Sequence, residues 1–253
     1  MSKSRNKTTE RIAGIQPVIA ALRANPGSIE RLYVAQGSQN RRVHDIEMLA
    51  ADLGVEVRRE ARETLEQLAG LERHQDVVAD LRGSRVLGEA DLPALLEAIQ
   101  GDPLLLVLDG VQDPHNLGAC LRTAEAAGVH AVIIPRDRAA GLTPVVRKTS
   151  AGASEVVPVV QVTNLARVLR ELKERGIWLY GTADQADHGL WRVDLKGPLA
   201  LVMGGEGQGL RRLTAELCDF LIAIPMAGVI ESLNVSVATG VCLFEIQRQR
   251  SGG

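Results

Sequence analysis

Three loops of the chain carry residue types that can bind a small ligand and position reacting groups. Their polar members are Asn116 and Arg122 in the first loop, Glu206 in the second, and Ser232 and Asn234 in the third. Amides and hydroxyls orient a substrate through hydrogen bonds, a carboxylate accepts hydrogen bonds, and a guanidinium binds anions. These residue types suit the positioning of a polar substrate beside a reacting group.

The first loop joins the apolar run Leu104–Leu108 to a helical pattern. The apolar stripe of that helix consists of Leu117, Cys120, Leu121 and Ala124. Their spacing of three and four residues predicts one buried helix face. Asn116 is then either a simple N-cap or a ligand-binding amide. Arg122 lies opposite the stripe, so it is either a surface charge or a group that points into a site.

The second loop, residues 204–209, contains four glycines and Glu206. Glycine lets the backbone approach a ligand closely or adopt a positive φ. The spacing differs from G-x-G-x-x-G, no Gly-Lys-Ser/Thr follows, and the carboxylate would repel a pyrophosphate. Dinucleotide and P-loop sites are therefore excluded, while a purely structural glycine turn stays open.

The third loop, residues 224–236, runs from the end of a strand into the last helix. Ser232 or Asn234 is either a cap of that helix or a ligand-binding group. All three loops follow strands of one predicted sheet, and open α/β sheets bind ligands beyond the carboxyl ends of their strands. The three loops together therefore predict one composite ligand site.

Apolar runs of strand length alternate with helical patterns from residue 104 to the C-terminus. The predicted strands are Leu104–Leu108, Val132–Pro135, Val156–Val160, Trp178–Gly181, Leu199–Met203 and Phe220–Pro225. This alternation predicts an α/β fold with a doubly wound, mainly parallel sheet. A weaker α/β pattern precedes it, so we expect a small N-terminal domain (1–82), a Gly- and Pro-rich linker (83–102) and the main domain (103–253).

Composition limits the function classes. The net charge of −2 and the aromatic content of 2% argue against a wholly basic or base-stacking nucleic-acid binder, so any such surface must be a local basic cluster. Three widely spaced cysteines and scattered histidines predict neither disulfides nor a metal site. The chain has no apolar run of membrane length, no secretory leader pattern and no Gly-x-Ser-x-Gly elbow. We expect a cytoplasmic protein without a membrane partner.

The three loops resemble, in order, the motifs of the SpoU family of RNA ribose methyltransferases, within the SPOUT superfamily. The matching residues are Asn116-x-Gly118 with Arg122, Gly204-x-Glu206-x-x-Gly209, and Ser232-Leu233-Asn234-Val235-Ser236. The resemblance covers residues 104–250 and, more weakly, the N-terminal part, including His74-Gln75. The sequence of the first motif is similar to that of bacterial 23S rRNA guanosine 2'-O-methyltransferases.

This resemblance implies a C-terminal trefoil knot, an N-terminal RNA-binding domain similar to a ribosomal protein, and a homodimer formed through the last helix, Val235–Gln247. It implies S-adenosylmethionine as cofactor, held by Gly204, Ile224, Met226 and Leu233. It also implies 23S rRNA rather than DNA as partner.

The catalytic residues that the resemblance implies are Asn116, Arg122, Glu206, Ser232 and Asn234. It places Arg122 at the acceptor ribose. A guanidinium has a pKa above about 12 and is a poor base. We therefore expect Arg122 to stabilise the developing alkoxide and the adjacent phosphate. Two alternatives remain at this point: a tRNA ribose methyltransferase with the same motifs, and a non-catalytic RNA-binding assembly factor.

Overall fold

A computed structural model describes residues 10–24, 26–70, 74–81, 86–184, 186, 188–229 and 232–252. The described residues separate into two compact units. One contains residues 10–81 together with 151–156, and the other contains residues 86–150 and 157–252. In the described part of the chain, no helix combines the length and the apolar character needed to cross a membrane.

The first unit is a small α/β fold whose sheet has the strand order β1-β4-β2-β3. Its main elements are β1 (Glu10–Ala13), α1 (Ile15–Ala24), β2 (Ile29–Ala35), α2 (Arg41–Asp52), β3 (Val57–Glu60), α3 (Arg62–Ala69) and β4 (Val77–Leu81). Strand β2 pairs parallel with β3 and antiparallel with β4. The apolar faces of α1 and α2 pack on this sheet through Val18, Leu22 and Ile46, which are fully buried.

The second unit is built on a sheet with the order β10-β12-β9-β11-β6-β7-β8-β5, and every pairing in its described part is parallel. Its elements are β5 (Leu87–Gly88), α4 (Leu92–Glu97), β6 (Leu104–Asp109), α5 (Pro114–Ala126), β7 (Ala131–Pro135), α6 (Pro144–Thr149), β8 (Val159–Val162), α8 (Leu165–Glu174), β9 (Trp178–Thr182), β10 (His188–Gly189), β11 (Leu199–Gly204), α9 (Arg212–Leu217), β12 (Phe220–Ala223) and α10 (Val235–Arg250). Helix α7 (Ala153–Val156), between α6 and β8 in the chain, groups with the first unit.

Helices cover both faces of this sheet. On one face α5 and α10 bury Leu121 and Leu243 against the strands. On the other face α8 buries Val168, Leu169 and Leu172. A strand covered on both sides must be apolar throughout, which is why every residue of β6 is buried. The predicted α/β class with a mainly parallel sheet is confirmed, whereas the trefoil knot stays a prediction.

Two predicted strand boundaries are wrong for the same reason. The strand expected at Val156–Val160 begins at Val159, and the strand expected to reach Pro225 ends at Ala223. Proline has no N–H for the interior of a strand ladder, so Pro158 lies before β8 and Pro225 lies after β12, whereas Pro135 is tolerated as the last residue of β7.

Part of the segment expected to be a linker, residues 86–102, folds with the second unit. Within it, β5 pairs with β8 and Leu92 is buried in the core.

The strand order also decides where the three motif loops lie. Strands β12, β9, β11 and β6 are successive neighbours and all parallel. Their carboxyl ends therefore lie along one edge of the sheet, and the three motif loops leave from that edge.

Candidate functional site

A row of hydrogen bonds joins the three motif loops. The amide nitrogen of Asn116 donates to Glu206 Oε1 at 2.6 Å. The amide nitrogen of Asn234 donates to Asn116 Oδ1 at 3.1 Å. Asn234 Oδ1 in turn accepts from the backbone N–H and the hydroxyl of Ser236 at 2.9 and 2.6 Å. Residues from three distant parts of the sequence thus form one connected polar wall.

The ends of the two motif helices explain how these side chains are held. Asp113, not Asn116, caps α5, because its carboxylate accepts from the N–H of His115 at 2.9 Å. Asn116 therefore lies in the first turn with its amide free for the neighbouring loops. Asn234 has both of the roles left open by the sequence, since it caps α10 and also contacts Asn116.

The glycine-rich loop folds back on itself. The N–H of Gly209 donates to the carbonyl of Gly205 at 3.1 Å, and Gly207 and Gly209 have left-handed φ angles of 75° and 62°. The loop also touches the first motif through its backbone, because a Cβ on Gly205 would lie 2.4 Å from the carbonyl oxygen of Gly110. The loop is therefore both a structural turn and part of the site.

A buried ion pair anchors the same loop to β6. The carboxylate of Asp109 is fully buried and accepts from the backbone N–H of Arg211 at 3.1 Å and from its Nε at 2.6 Å. A buried carboxylate is tolerated only with such partners. Asp109 thereby fixes the point where the glycine-rich loop ends and α9 begins. The sequence analysis did not identify either residue.

A cavity of about 390 Å³ opens between the second and third motif loops and the ends of β9 and β12. All four predicted cofactor residues line it, namely Gly204, Ile224, Met226 and Leu233. Glu206, Ser232 and Asn234 line it as well. The end of β9 contributes Thr182, Ala183 and Asp184, which the sequence analysis missed because nothing in the sequence showed that β9 lies between β11 and β12.

A second cavity, of about 510 Å³, lies on the side of the first motif loop. It shares Gly205, Glu206 and Gly209 with the first cavity. Asn116 lines it too, so the Asn116–Glu206 hydrogen bond belongs to its wall. Its remaining lining includes Gln112, Gln208, Arg138 and Arg211.

Arg122 lies apart from both cavities. It is exposed on α5, lines neither cavity, and makes no hydrogen bond or ion pair with any residue in the described ranges. The structure therefore brings together Asn116, Glu206, Ser232 and Asn234 but leaves Arg122 free on the surface.

A nucleophilic thiol is not available near the site. Cys120 lies under α10, with its Sγ 3.6 Å from Thr239 Oγ1. Burial raises the pKa of this thiol to about 11. The protonated form predominates at neutral pH, and a thiol is a far weaker nucleophile than a thiolate. Covalent catalysis through Cys120 is therefore disfavoured.

Comparison with known proteins gives consistent matches for both units. Residues 103–244 match the SpoU rRNA methylase family, and residues 11–87 match the family described as RNA 2'-O ribose methyltransferase substrate binding. The 23S rRNA (guanosine-2'-O-)-methyltransferase RlmB of Pseudomonas aeruginosa is 56% identical over 243 residues, which cover 96% of this chain and 97% of that protein. The corresponding protein of Ralstonia nicotianae is 54% identical over 95% of this chain and 96% of its own length.

Comparison of the fold with solved structures also matches SpoU methyltransferases. The SpoU methyltransferase AviRb from Streptomyces viridochromogenes, in complex with the cofactor AdoMet, superposes with a TM-score of 0.81 at 26% identity. The match covers 99% of this chain and 96% of AviRb.

Proposed function

The chain belongs to the SpoU rRNA methylase family, and on that basis we propose that it transfers a methyl group from S-adenosylmethionine to the 2'-oxygen of a guanosine in 23S rRNA. The observation that carries this proposal is the wall formed by Asn116, Glu206 and Asn234, because it joins the three family motifs beside one cavity. A protein that only binds RNA would not need this arrangement.

The residues of the first cavity fit S-adenosylmethionine. Its apolar part, with Ile224, Met226 and Leu233, suits the adenine ring, and the glycine backbone leaves room for close approach. Gly204 itself is required by the fold of the loop, because a Cβ there would lie 2.1 Å from the carbonyl carbon of Gly209. When bound, the cofactor supplies a methyl group on a sulfonium, which is a good leaving group.

The protein must then align a ribose hydroxyl and lower the cost of removing its proton. We assign the alignment to the polar wall, in which Asn116 donates to the Glu206 carboxylate and is itself held by a hydrogen bond from Asn234. Ser232 lines the same cavity and adds a hydroxyl toward the substrate. Arg122 lines neither cavity, so its proposed role, which is to stabilise the developing alkoxide and the adjacent phosphate, requires a second copy of the chain to bring its guanidinium to the site.

We further propose that the protein forms a homodimer through α10. This helix buries Cys242, Leu243 and Ile246 in its own core, yet Val237 and Phe244 on another face are 52% and 54% exposed. A helix that is apolar on two faces is typical of a helix with a second packing partner. A second copy of the chain would cover the exposed face of α10, the helix that packs against α5. Replacing Phe244 with aspartate should shift the protein toward the monomer in sedimentation velocity.

We assign RNA placement to the first unit, in line with its match to a substrate-binding family. Arg41 and Arg42 at the start of α2 are exposed and have no ion-pair partner among the described residues, whereas Arg59 and Arg62 are paired with Glu47 and Asp76. We assign the local basic surface to Arg41 and Arg42. A ribosomal RNA substrate also implies that the protein acts in the cytoplasm.

Methyl transfer from labelled S-adenosylmethionine tests the function directly. Unmodified 23S rRNA and unmodified tRNA are offered separately, and the modified ribose is mapped. Label on a guanosine 2'-oxygen of 23S rRNA is the expected result. Label on tRNA alone would move the substrate to the tRNA alternative. Absence of cofactor binding would contradict the enzyme assignment and favour an RNA-binding assembly factor.

A further inference from the structure

The second cavity contains a cation, Arg138, that no group among the described residues neutralises. Arg138 follows β7 and lines the cavity, but it makes no hydrogen bond or ion pair with any residue in the described part of the chain. The other arginine there, Arg211, is already paired with the buried carboxylate of Asp109. Of these two arginines, Arg138 is therefore the one available to an anionic ligand.

The backbone at Arg138 is unfavourable for this residue type. Its φ of 58° lies in the left-handed region, where glycine is at ease and a residue with a Cβ is strained. The loop is held in this position, since the N–H of Ala140 donates to the carbonyl of Val111 at 2.9 Å. Strained residues of this kind are concentrated at functional sites. The stability of the loop therefore does not explain why an arginine stands at position 138.

The rest of the cavity suits a polar ligand. The side-chain amides of Gln112 and Gln208 line it and, within the described ranges, have no hydrogen-bond partner. Amides offer donors and acceptors to a base or ribose. Three carboxylates, Asp109, Asp113 and Glu206, also line the cavity. Because Asp109 is already paired with Arg211, an anion is favoured only beside Arg138. The volume of about 510 Å³ lies in the range of small-molecule sites and admits a nucleotide.

The second cavity also adjoins the place of the reaction. It shares Glu206, Gly205 and Gly209 with the cavity assigned to the cofactor. A ligand in the second cavity therefore contacts the opposite side of the wall formed by Asn116 and Glu206. A methyl acceptor must lie within contact distance of the methyl donor, and this neighbouring cavity provides such a position.

We propose that the second cavity binds the acceptor nucleotide of the RNA and that Arg138 binds its backbone phosphate. The inference rests on the proposed function for the identity of the ligand. Arg138 is a positioning residue for the acceptor, whereas the wall residues touch the reacting ribose. Loss of the guanidinium should weaken RNA binding and leave the cofactor site intact.

The variant Arg138→Gly gives an unusually clean test, because glycine relieves the left-handed backbone while it removes the charge. Arg136→Ala is the matched control, since Arg136 is an exposed arginine of the same loop that does not line the cavity. RNA affinity is measured with unmodified 23S rRNA fragments over a range of salt concentrations. S-adenosylmethionine affinity, melting temperature and methyl transfer are measured beside it.

For Arg138→Gly we expect RNA affinity to fall about 10- to 100-fold at physiological salt, as for loss of one charge-assisted contact. The slope of log affinity against log salt should become shallower by about 1. Cofactor affinity should be unchanged, and the melting temperature equal or higher. Arg136→Ala should match the wild type, and Arg138→Lys should restore the salt slope but not full affinity.

Equal RNA affinity and salt slope in Arg138→Gly and the wild type would overturn the proposal. A parallel loss of cofactor affinity would overturn it as well, because it would show a structural role for Arg138. Failure of the wild type to methylate any RNA would instead contradict the proposed function. The salt slope of RNA binding would still decide the phosphate contact in that case.

Discussion

Replacing Gly204 with alanine should distort the loop that both cavities share and remove most cofactor binding. The new Cβ would lie 2.1 Å from the carbonyl carbon of Gly209 and 2.4 Å from the backbone nitrogen of Leu210. Both neighbours are backbone atoms, so no side-chain rotation can relieve the contact. The glycine-rich loop must move as a whole, and it carries Glu206.

The size of the effect follows from these contacts. Forcing one extra carbon into a packed site costs about 1–3 kcal/mol, and here the upper end applies because only backbone can move. If the strained loop must return to its original position to hold the cofactor, a penalty of about 3 kcal/mol lowers the affinity by roughly 100-fold. The free energy of unfolding should fall by a similar or smaller amount.

Gly207→Ala is the matched control in the same loop. Its φ of 75° imposes left-handed strain on alanine, about 1–2 kcal/mol, but nothing lies within 4 Å of the added Cβ. We therefore expect Gly207→Ala to lower the melting temperature and retain cofactor affinity within a few-fold. Calorimetric titration with S-adenosylmethionine and thermal unfolding measure the two quantities separately. Equal cofactor affinities in the two variants would refute the steric argument.

Three further predictions concern other parts of the chain. Arg122→Lys should lower the rate of methyl transfer at least 10-fold with unchanged cofactor affinity, because a lysine lacks the planar fork; near-wild-type single-turnover rates would count against this role. Hydrogen bonds from Arg248 and then Gln249 lower the pKa of Glu245 to about 2. Its stabilising contribution is thus fully present above about pH 4.5 and is lost as the pH falls toward 2. The gap in unfolding free energy between wild type and Glu245→Gln should shrink over that range, and a gap independent of pH would contradict the assignment. Burial raises the pKa of the thiols of Cys120, Cys218 and Cys242 to about 11, 12 and 12. Iodoacetamide at pH 8 should leave all three unmodified in the folded protein and label them in urea, as mass spectrometry would show.

Local sequence patterns predicted much of the fold, because a strand that is covered on both faces of the sheet must be apolar at every position. Leu104–Leu108 is apolar throughout, as a central parallel strand must be, and it forms most of β6. The apolar pattern predicts a strand at Val156–Val160, but Pro158 interrupts it and β8 begins only at Val159. A missing N–H outweighs apolar character at a strand boundary.

Candidate site residues could be predicted where a motif combined unusual residue types with a strand end. Glu206 and Asn234 were found in this way. The sequence does not single out Asp109 or Arg138 as site residues, because charged residues after a strand are common on protein surfaces. Only their surroundings distinguish them: Asp109 is buried against Arg211, and Arg138 lines a cavity without a partner in the described part of the chain.

The sequence by itself determined the α/β class, the three loops and the family, because strand burial, helix periodicity and loop chemistry are local properties of the chain. Only the tertiary structure decided that β9 lies between β11 and β12, so that Thr182 and Asp184 enter the first cavity. It also decided that Asn116 bonds to Glu206 instead of capping α5. The physical reason is that strand order and side-chain partners depend on contacts between residues far apart in the chain, which no local pattern specifies.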